Sequence, residues 1–187
     1  MRFNDHFRLK DQHAFLSASK GSWVNYDDEK VMGAWASRNA AAKGTRLHHL
    51  AHLLIFEGVK LPRSTKTLNR YVNDGIGFRM SSEQILFGSE YAFGTADCIS
   101  FHDNILRISD LKTGIREVGE RQLEIYAVFF CLEYDIDPFT IDEIQLRIYQ
   151  NDEVRLYIAD PVDIKLWMEK VRYITEYINR YEREINL

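Results

Sequence analysis

Two apolar segments joined by a turn place the strongest constraint on the fold of this chain. Residues 94–101 and 105–111 are rich in isoleucine, leucine, phenylalanine and threonine, as strands are. The intervening His102-Asp103-Asn104 is typical turn sequence. The sequence therefore predicts an antiparallel hairpin near the middle of the chain.

Charged side chains interrupt both predicted strands. Because side chains alternate between the two faces of a strand, Asp110 and Lys112 share one face while Leu111 points the other way. Asp97 on the first strand lies close enough in a hairpin to join them. Such a group is costly if it is buried unpaired, and carboxylate oxygens are the ligands that Mg²⁺ and Mn²⁺ prefer. The pattern indicates a divalent metal site, with the Leu111 carbonyl as a further ligand.

This site predicts phosphodiester hydrolysis. Mg²⁺ binds one or two carboxylates and leaves room for water and a substrate phosphate. A bound metal lowers the pKa of its water, and Lys112 would hold that water and offset charge on the phosphate. The alternative is that Asp110 and Lys112 form an ordinary ion pair on an exposed sheet face.

Four sequence blocks follow one another along the chain. They are Gly44-Thr45-Arg46-Leu47-His48, Gly94-Thr95-Ala96-Asp97, Asp110-Leu111-Lys112-Thr113-Gly114 and Gln122-x-x-x-Tyr126. In order and spacing they resemble the PD-(D/E)XK nuclease superfamily, and within it the RecB-like and phage-type exonuclease branch. An isolated Asp-x-Lys is weak evidence, whereas four blocks in order are much more specific.

The resemblance implies a metal-ligand set. His48, Asp97 and Asp110 would bind the metal, and either Glu83 or Glu90 would supply a further carboxylate. His48 also begins a His-x-x-x-His pattern, but no glutamate follows it, so the metalloprotease motif is absent. The alternative is that His48 is a structural helix residue.

The resemblance also implies residues that act on the substrate. Lys112 would be the catalytic lysine, and Gln122 and Tyr126 would steer the phosphate backbone from the next helix, where positions i and i+4 share a face. Arg46 and Arg116 are candidates for phosphate contacts. The alternative for each of these residues is that it is an ordinary helix or surface residue without a role at the site.

The predicted elements indicate the fold class. Their order is helices, three strands, a helix, two strands and a helix, which indicates an α/β fold with a mixed central sheet of about five strands flanked by helices. The resemblance implies a restriction-endonuclease-like core in one domain, 1–187. Its parts would be a mainly helical segment at 1–80, the catalytic sheet and helix at 81–159, and a C-terminal helix at 160–187. Residues 1–12 are predicted to be a polar lead-in, and a helix break is predicted near Lys43-Gly44, with Thr45 capping a second helix.

Composition limits the class of protein. The chain is 45% hydrophobic and 28% charged, as expected of a globular fold, and its net charge of -4 gives no general basic signature of DNA binding. Cys98 and Cys131 lack metal-site spacing and cannot supply the four cysteines of the iron-sulfur cluster that some relatives carry. No signal peptide or long apolar run is evident, so we expect no membrane contact and a cytoplasmic location, or the host cytoplasm if the protein is phage-encoded.

These observations lead to one functional expectation with alternatives. We expect a DNA nuclease that needs Mg²⁺ or Mn²⁺ and acts as an exonuclease on DNA ends or single strands, in recombination, repair or phage DNA processing. A recombination protein would be a possible partner. The alternatives are a structure-specific endonuclease, a catalytically silent nucleic-acid-binding module and a small-molecule phosphoesterase. Oligomeric state, polarity, DNA or RNA preference and the number of metals stay open.

Overall fold

The computed structural model describes residues 14–185, without the side chains of residues 19 and 20. The predicted lead-in at residues 1–12 lies outside this range. Contacts divide the chain into two compact units, residues 1–43 and 44–187. The assignment of 1–187 to one nuclease domain stays a prediction.

The first unit contains a short 3₁₀ helix and the start of a long α-helix. The 3₁₀ helix spans Ala18–Asn25, and α1 spans Asp28–Phe56 and continues into the second unit. The Asp27 carboxylate accepts a hydrogen bond of 2.8 Å from the Lys30 amide, which caps the first turn of α1.

The predicted helix break at Lys43-Gly44 is wrong, because α1 is continuous through these residues. Gly44 is buried, and a Cβ built there would lie only 2.7 Å from Thr113 Oγ1. The glycine therefore allows a close approach between α1 and Thr113, rather than ending a helix.

The second unit is built on a five-stranded mixed sheet. The strand order is β1-β2-β3-β4-β5, and all neighbours are antiparallel except β3 and β4. This confirms the predicted α/β class. The elements are α2 (Thr67–Gly77), β1 (Ser81–Ser89), β2 (Ala92–His102), β3 (Ile105–Leu111), α3 (Arg121–Glu133), a 3₁₀ turn (Pro138–Thr140), β4 (Glu143–Gln150), β5 (Glu153–Ile158) and α4 (Pro161–Ile185).

The predicted hairpin turn between β2 and β3 is confirmed by its backbone angles, since Asp103 and Asn104 have φ of 52° and 57°. Asn151 and Asp152, in the turn between β4 and β5, have similar φ of 53° and 61°. Two consecutive residues with positive φ form the kind of turn that matches the twist of paired strands, and asparagine and aspartate tolerate this conformation well.

Each face of the sheet is covered by a separate apolar core. On one face, α3 and α4 pack against buried strand residues such as Leu106, Ile108 and Leu146. On the other, α2 and the end of α1 enclose Leu111 and Tyr149. Cys131 and Cys98 are buried in the first and second core respectively. Within the described range, no helix has the length and hydropathy needed to cross a membrane.

Asp152 joins the turn between β4 and β5 to the start of α2. Its carboxylate accepts hydrogen bonds from the Thr67 amide and the Lys66 ammonium, both at 2.8 Å. The Lys66 ammonium, followed by the Thr67 amide, lowers the pKa of Asp152 from 3.8 to about 2. The ionised carboxylate thus stabilises the folded state above pH 3.8, and this contribution is lost as the pH falls from 3.8 to about 2.

We expect Asp152→Asn to lower the melting temperature by a few degrees at neutral pH, because the asparagine keeps the turn conformation but removes the charge. The difference from the original chain should shrink as the pH falls from about 4 to about 2. Thermal unfolding over this range measures it, with Asp103→Asn as the control in the other hairpin turn. A difference that stayed constant between pH 4 and pH 2, or an equal effect of Asp103→Asn, would contradict the prediction.

Candidate metal centre

The candidate centre forms where β2 and β3 separate. Their pairing ends at Cys98 and Ser109, whereas β3 continues to pair with β4 as far as Leu111. The Asp97 side chain occupies the resulting gap, where its Oδ2 accepts a hydrogen bond of 3.0 Å from the Leu111 amide. A side chain thus replaces the missing strand partner and is held in place at the strand end.

His48 and Glu83 approach Asp97 from α1 and β1. The ligand atoms of these three residues lie within 4.8 Å of one another, and His48 Nδ1 is 3.2 Å from Asp97 Oδ2. The pKa of His48 is raised, first by its hydrogen bond to Asp97 and then by the charges of Asp97, Asp110 and Glu83, although burial opposes the shift. The centre therefore favours positive charge.

Glu83 has an unusual backbone conformation for a strand residue. Its φ is 53°, while its neighbours Ser82 and Gln84 pair regularly with β2. A glutamate in the left-handed region is uncommon and costs roughly 1–3 kcal/mol, and such conformations cluster at functional sites. This conformation accompanies the position of Glu83 opposite Asp97 and could not be read from the sequence pattern.

Asp110 is a buried carboxylate, 3% exposed. Lys112 Nζ lies 3.0 Å from its Oδ2, but outside hydrogen-bond geometry, so among the described residues this buried oxygen has an ion-pair partner and no hydrogen-bond donor. Burial raises the pKa of Asp110, as does the charge of Asp97, and Lys112 lowers it without cancelling these effects. An additional cation would relieve this cost.

A chain of hydrogen bonds leads from Lys112 to α3. Its ammonium donates to Gln122 Oε1 at 3.0 Å, and Gln122 Nε2 donates to Tyr126 Oη at 3.1 Å. The Tyr126 ring in turn packs on Gly94, where a Cβ would lie 3.1 Å from Cε1. Lys112 is therefore held from two sides, by Asp110 and by α3.

The donor set fits a hard divalent cation. The imidazole of His48 and the carboxylates of Glu83 and Asp97 are ligands that suit Mg²⁺ or Mn²⁺. Asp110, which was also predicted to be a ligand, lies outside this group of three, although the charge of Asp97 acts on it.

Comparison with known proteins adds a family. A family model described as "Protein of unknown function (DUF2800)" matches residues 76–176, more than half of the chain. The chain belongs to the DUF2800 family. No curated protein matches it. A solved structure described as "Crystal structure of SSO0001" is similar over 81% of this chain and 67% of that chain, with 14% identity and a TM-score of 0.34.

The DUF2800 segment contains most of the candidate centre. Glu83, Asp97, Asp110 and Lys112 lie inside it, as do Gln122 and Tyr126, while His48 lies before it. The strand and helix part of the centre therefore belongs to the part of the chain that defines the family.

Several residues that were predicted to belong to the site lie away from it or make a different contact from the one predicted. Arg46 and Arg116 are exposed, and no ion pair or hydrogen bond within residues 14–185 links their side chains to the centre. Glu90 is exposed within the β1–β2 turn, so between the two glutamates the structure brings Glu83 to the centre. The Leu111 amide donates a hydrogen bond to Asp97 in the centre, and metal binding by the Leu111 carbonyl stays a prediction.

His52, the second histidine of the His-x-x-x-His pattern on α1, forms a hydrogen bond outside the group of His48, Glu83 and Asp97. His52 Nδ1 is hydrogen-bonded to Ser82 Oγ at 2.8 Å, which ties α1 to β1. His48 therefore joins Asp97 and Glu83 without His52 among the three clustered ligands.

Gly44 lies one turn before His48, on the same face of α1. It lies close to Thr113, which is the residue directly after Lys112. We expect Gly44→Val to cost about 1–3 kcal/mol in the free energy of unfolding, because the added side chain overpacks this contact. Chemical denaturation measures the loss. Gly33→Val is the matched control, since a Cβ at Gly33 meets nothing within 4 Å. Equal stabilities of the two variants would contradict the packing role of Gly44.

Proposed function

We propose that this chain is a divalent-metal-dependent nuclease that hydrolyses phosphodiester bonds in DNA. The observation that supports this proposal most strongly is the grouping of His48, Glu83 and Asp97 with the buried Asp110–Lys112 pair, where β2 and β3 diverge. The resemblance to the PD-(D/E)XK superfamily implies roles for His48, Asp97, Asp110 and Lys112, and it leaves the choice between Glu83 and Glu90 open.

His48, Glu83, Asp97 and Asp110 are the residues that would hold Mg²⁺ or Mn²⁺. When bound, such a metal supplies an activated water and stabilises negative charge on a phosphate. The raised pKa of Asp110 is consistent with this role, because a carboxylate that is costly to keep ionised gains most from a neighbouring cation.

Lys112 would act on the phosphate and on the attacking water. Its ammonium carries three donors, of which one is directed at Gln122, and it forms an ion pair with Asp110. A donor not directed at Gln122 is available to a substrate oxygen or a water, where positive charge stabilises charge that develops in the transition state. Gln122 and Tyr126 would keep the ammonium oriented.

A catalytically silent nucleic-acid-binding module is the main alternative from another class. It would keep the fold but would have no need for a buried carboxylate that destabilises the metal-free protein. The presence of a buried carboxylate at Asp110 therefore favours an enzyme. An endonuclease and an exonuclease share this centre, so the substrate must separate them.

The test is incubation with end-labelled linear DNA and closed circular DNA, single- and double-stranded, with Mg²⁺ or Mn²⁺ and with EDTA. We expect metal-dependent loss of linear DNA, which indicates an exonuclease. Cutting of closed circles would instead indicate an endonuclease. Binding of DNA without cleavage under any of these conditions would reject the nuclease and support the silent module.

A further inference from the structure

Two arginines lie near each other on the face of the sheet that α2 covers only in part. Arg107 of β3 pairs with Gln145 of β4, and Arg147 lies two residues further along β4. Ser100 of β2 pairs with Arg107 on the other side. Paired residues share a face, and alternation puts Gln145 and Arg147 on the same one, opposite the buried Leu146. We refer to Ser100, Arg107, Gln145 and Arg147 as the arginine patch.

The ring of Phe78, at the C-terminal cap of α2, contacts both arginines of the patch. The guanidinium carbons of Arg107 and Arg147 lie 5.1 Å and 4.5 Å from the centre of this ring. A guanidinium that rests on an aromatic ring is positioned by it, but the ring takes up none of the N–H groups at its edge. Both arginines are therefore held beside one ring and keep donors for another partner.

Within residues 14–185, the arginine patch lacks acceptors for its buried donors. Arg107 Nε and Arg147 Nη1 are buried without a hydrogen-bond partner, as are Ser100 Oγ and Gln145 Oε1. The two nitrogens can only donate, whereas Gln145 Oε1 is the one atom of the four that can only accept. A buried donor without an acceptor is costly. A ligand that brings several acceptor oxygens to this face would remove that cost.

The positive charge of the arginine patch is not balanced by a described carboxylate. Neither arginine forms an ion pair within the described part of the chain. Glu143 lies on the same face, two residues before Gln145, without pairing with them. The Asp74 carboxylate of α2 instead accepts a hydrogen bond of 2.8 Å from the Tyr149 hydroxyl. The patch thus has two cations to offer to an anionic ligand.

Aliphatic side chains continue the same face beside the arginine patch. On β5, Leu156 pairs with Arg147 and Ile158 pairs with Gln145, so both share the face of the patch. They are 52% and 55% exposed, so the described chain leaves this part of the sheet open. A ligand bound here would meet two cations at one end and an aliphatic surface at the other.

An organic phosphate monoester matches this arrangement of groups. Its phosphate carries close to two negative charges near neutral pH, whereas a carboxylate or a phosphodiester carries one. Its oxygens accept paired hydrogen bonds from guanidinium groups. We propose that the arginine patch binds a small organic phosphate monoester, whose phosphate contacts Arg107 and Arg147 and whose organic part contacts Leu156 and Ile158.

This binding site is separate from the candidate metal centre. Arg107 lies three residues before Asp110 on β3, so alternation puts their side chains on opposite faces of the sheet. Leu111 and Tyr149 lie on the face of the patch but are covered by α2 and the end of α1. The inference therefore does not rest on the proposed nuclease activity.

Calorimetric titration with phenyl phosphate tests the proposal. EDTA removes metal ions that would attract the phosphate to the candidate centre, and a buffer at about pH 8 keeps the monoester doubly charged. Benzoate is the comparison ligand with the same ring and a single charge. A single-stranded oligonucleotide without terminal phosphates tests phosphodiesters. In the original chain, the NMR signal of the Arg107 Nε–H group should shift as phenyl phosphate is added.

We expect the affinity for phenyl phosphate to fall about 10- to 100-fold in Arg147→Gln, since a hydrogen bond to a charged group contributes an effect of this size. Arg147→Lys should restore little, because an ammonium lacks the paired donors of a guanidinium. Arg155→Gln is the matched control. Arg155 is a half-buried arginine whose guanidinium already donates to Gln150 at 2.9 Å, and its pairing with Ile148 puts it on the opposite face. Circular dichroism confirms that the variants are folded.

Each alternative outcome would overturn the proposal. Phenyl phosphate that fails to bind, or that binds Arg147→Gln as tightly as the original chain, would show that the patch is no phosphate site. Binding that is lost in Lys112→Gln but kept in Arg147→Gln would place the phosphate at the candidate centre. Equal affinity for benzoate would show that one negative charge is enough. Tighter binding of the oligonucleotide, weakened in Arg147→Gln, would make the patch a nucleic-acid contact.

Discussion

Lys112→Gln is expected to lower the single-turnover rate of DNA cleavage by about 10²- to 10³-fold, the effect typical of losing one donor that stabilises transition-state charge. Glutamine keeps a polar group near Gln122 but removes the positive charge that faces Asp110 and the substrate phosphate. Metal affinity should change much less, because Lys112 is not one of the proposed ligands. Rapid-quench kinetics with saturating protein measure the rate, and calorimetry measures metal binding.

Lys165→Gln provides the matched control for this prediction. Lys165 also pairs with an aspartate, Asp137, at 3.3 Å, but both side chains lie on the surface between α4 and the turn after α3. Its replacement should leave the cleavage rate within about twofold, since exposed pairs contribute little. If Lys112→Gln cleaved as fast as Lys165→Gln, Lys112 would have no catalytic role.

Asp110→Asn is expected to stabilise the metal-free protein while it abolishes cleavage. The raised pKa of Asp110 means that the folded state disfavours the ionised carboxylate. This destabilisation is present above the folded-state pKa and is relieved as the pH falls through it. At neutral pH, the neutral amide should therefore raise the melting temperature of the metal-free protein, because it carries no charge to desolvate.

Thermal unfolding with EDTA and with Mn²⁺ tests this prediction. The original chain should gain stability when Mn²⁺ is added, and Asp110→Asn should gain much less, because one ligand charge is missing. Asp135→Asn, at an exposed position with φ of 51°, controls for the substitution itself. A lower melting temperature of Asp110→Asn in EDTA would mean that the ionised carboxylate is stabilised by the fold, and the metal-site interpretation would lose its support.

The β2–β3 hairpin shows how much local sequence can specify. Asp103 and Asn104 adopt the positive φ that their side chains tolerate, and the flanking apolar residues bring Asp97 and Asp110 to neighbouring strands. The parallel pairing of β3 and β4 follows from the helix between them, since a parallel pair needs a long crossover. These features depend on short-range chemistry and on element order.

Gly44 shows where such reasoning fails. A Gly-Thr pair within a helical pattern is also typical of a helix boundary, and the sequence contains no sign of the Thr113 contact that explains the glycine. The choice between Glu83 and Glu90 likewise depended on the conformation of one residue within β1.

The sequence alone determined the α/β class, the hairpin, its turns and the face that carries Asp110 and Lys112, because alternation and turn chemistry act between near neighbours. Only the tertiary structure decided that α1 is continuous and that Glu83 rather than Glu90 joins His48 and Asp97. Each of these depends on contacts between residues far apart in the chain, whose distances are set by how the helices pack on the sheet.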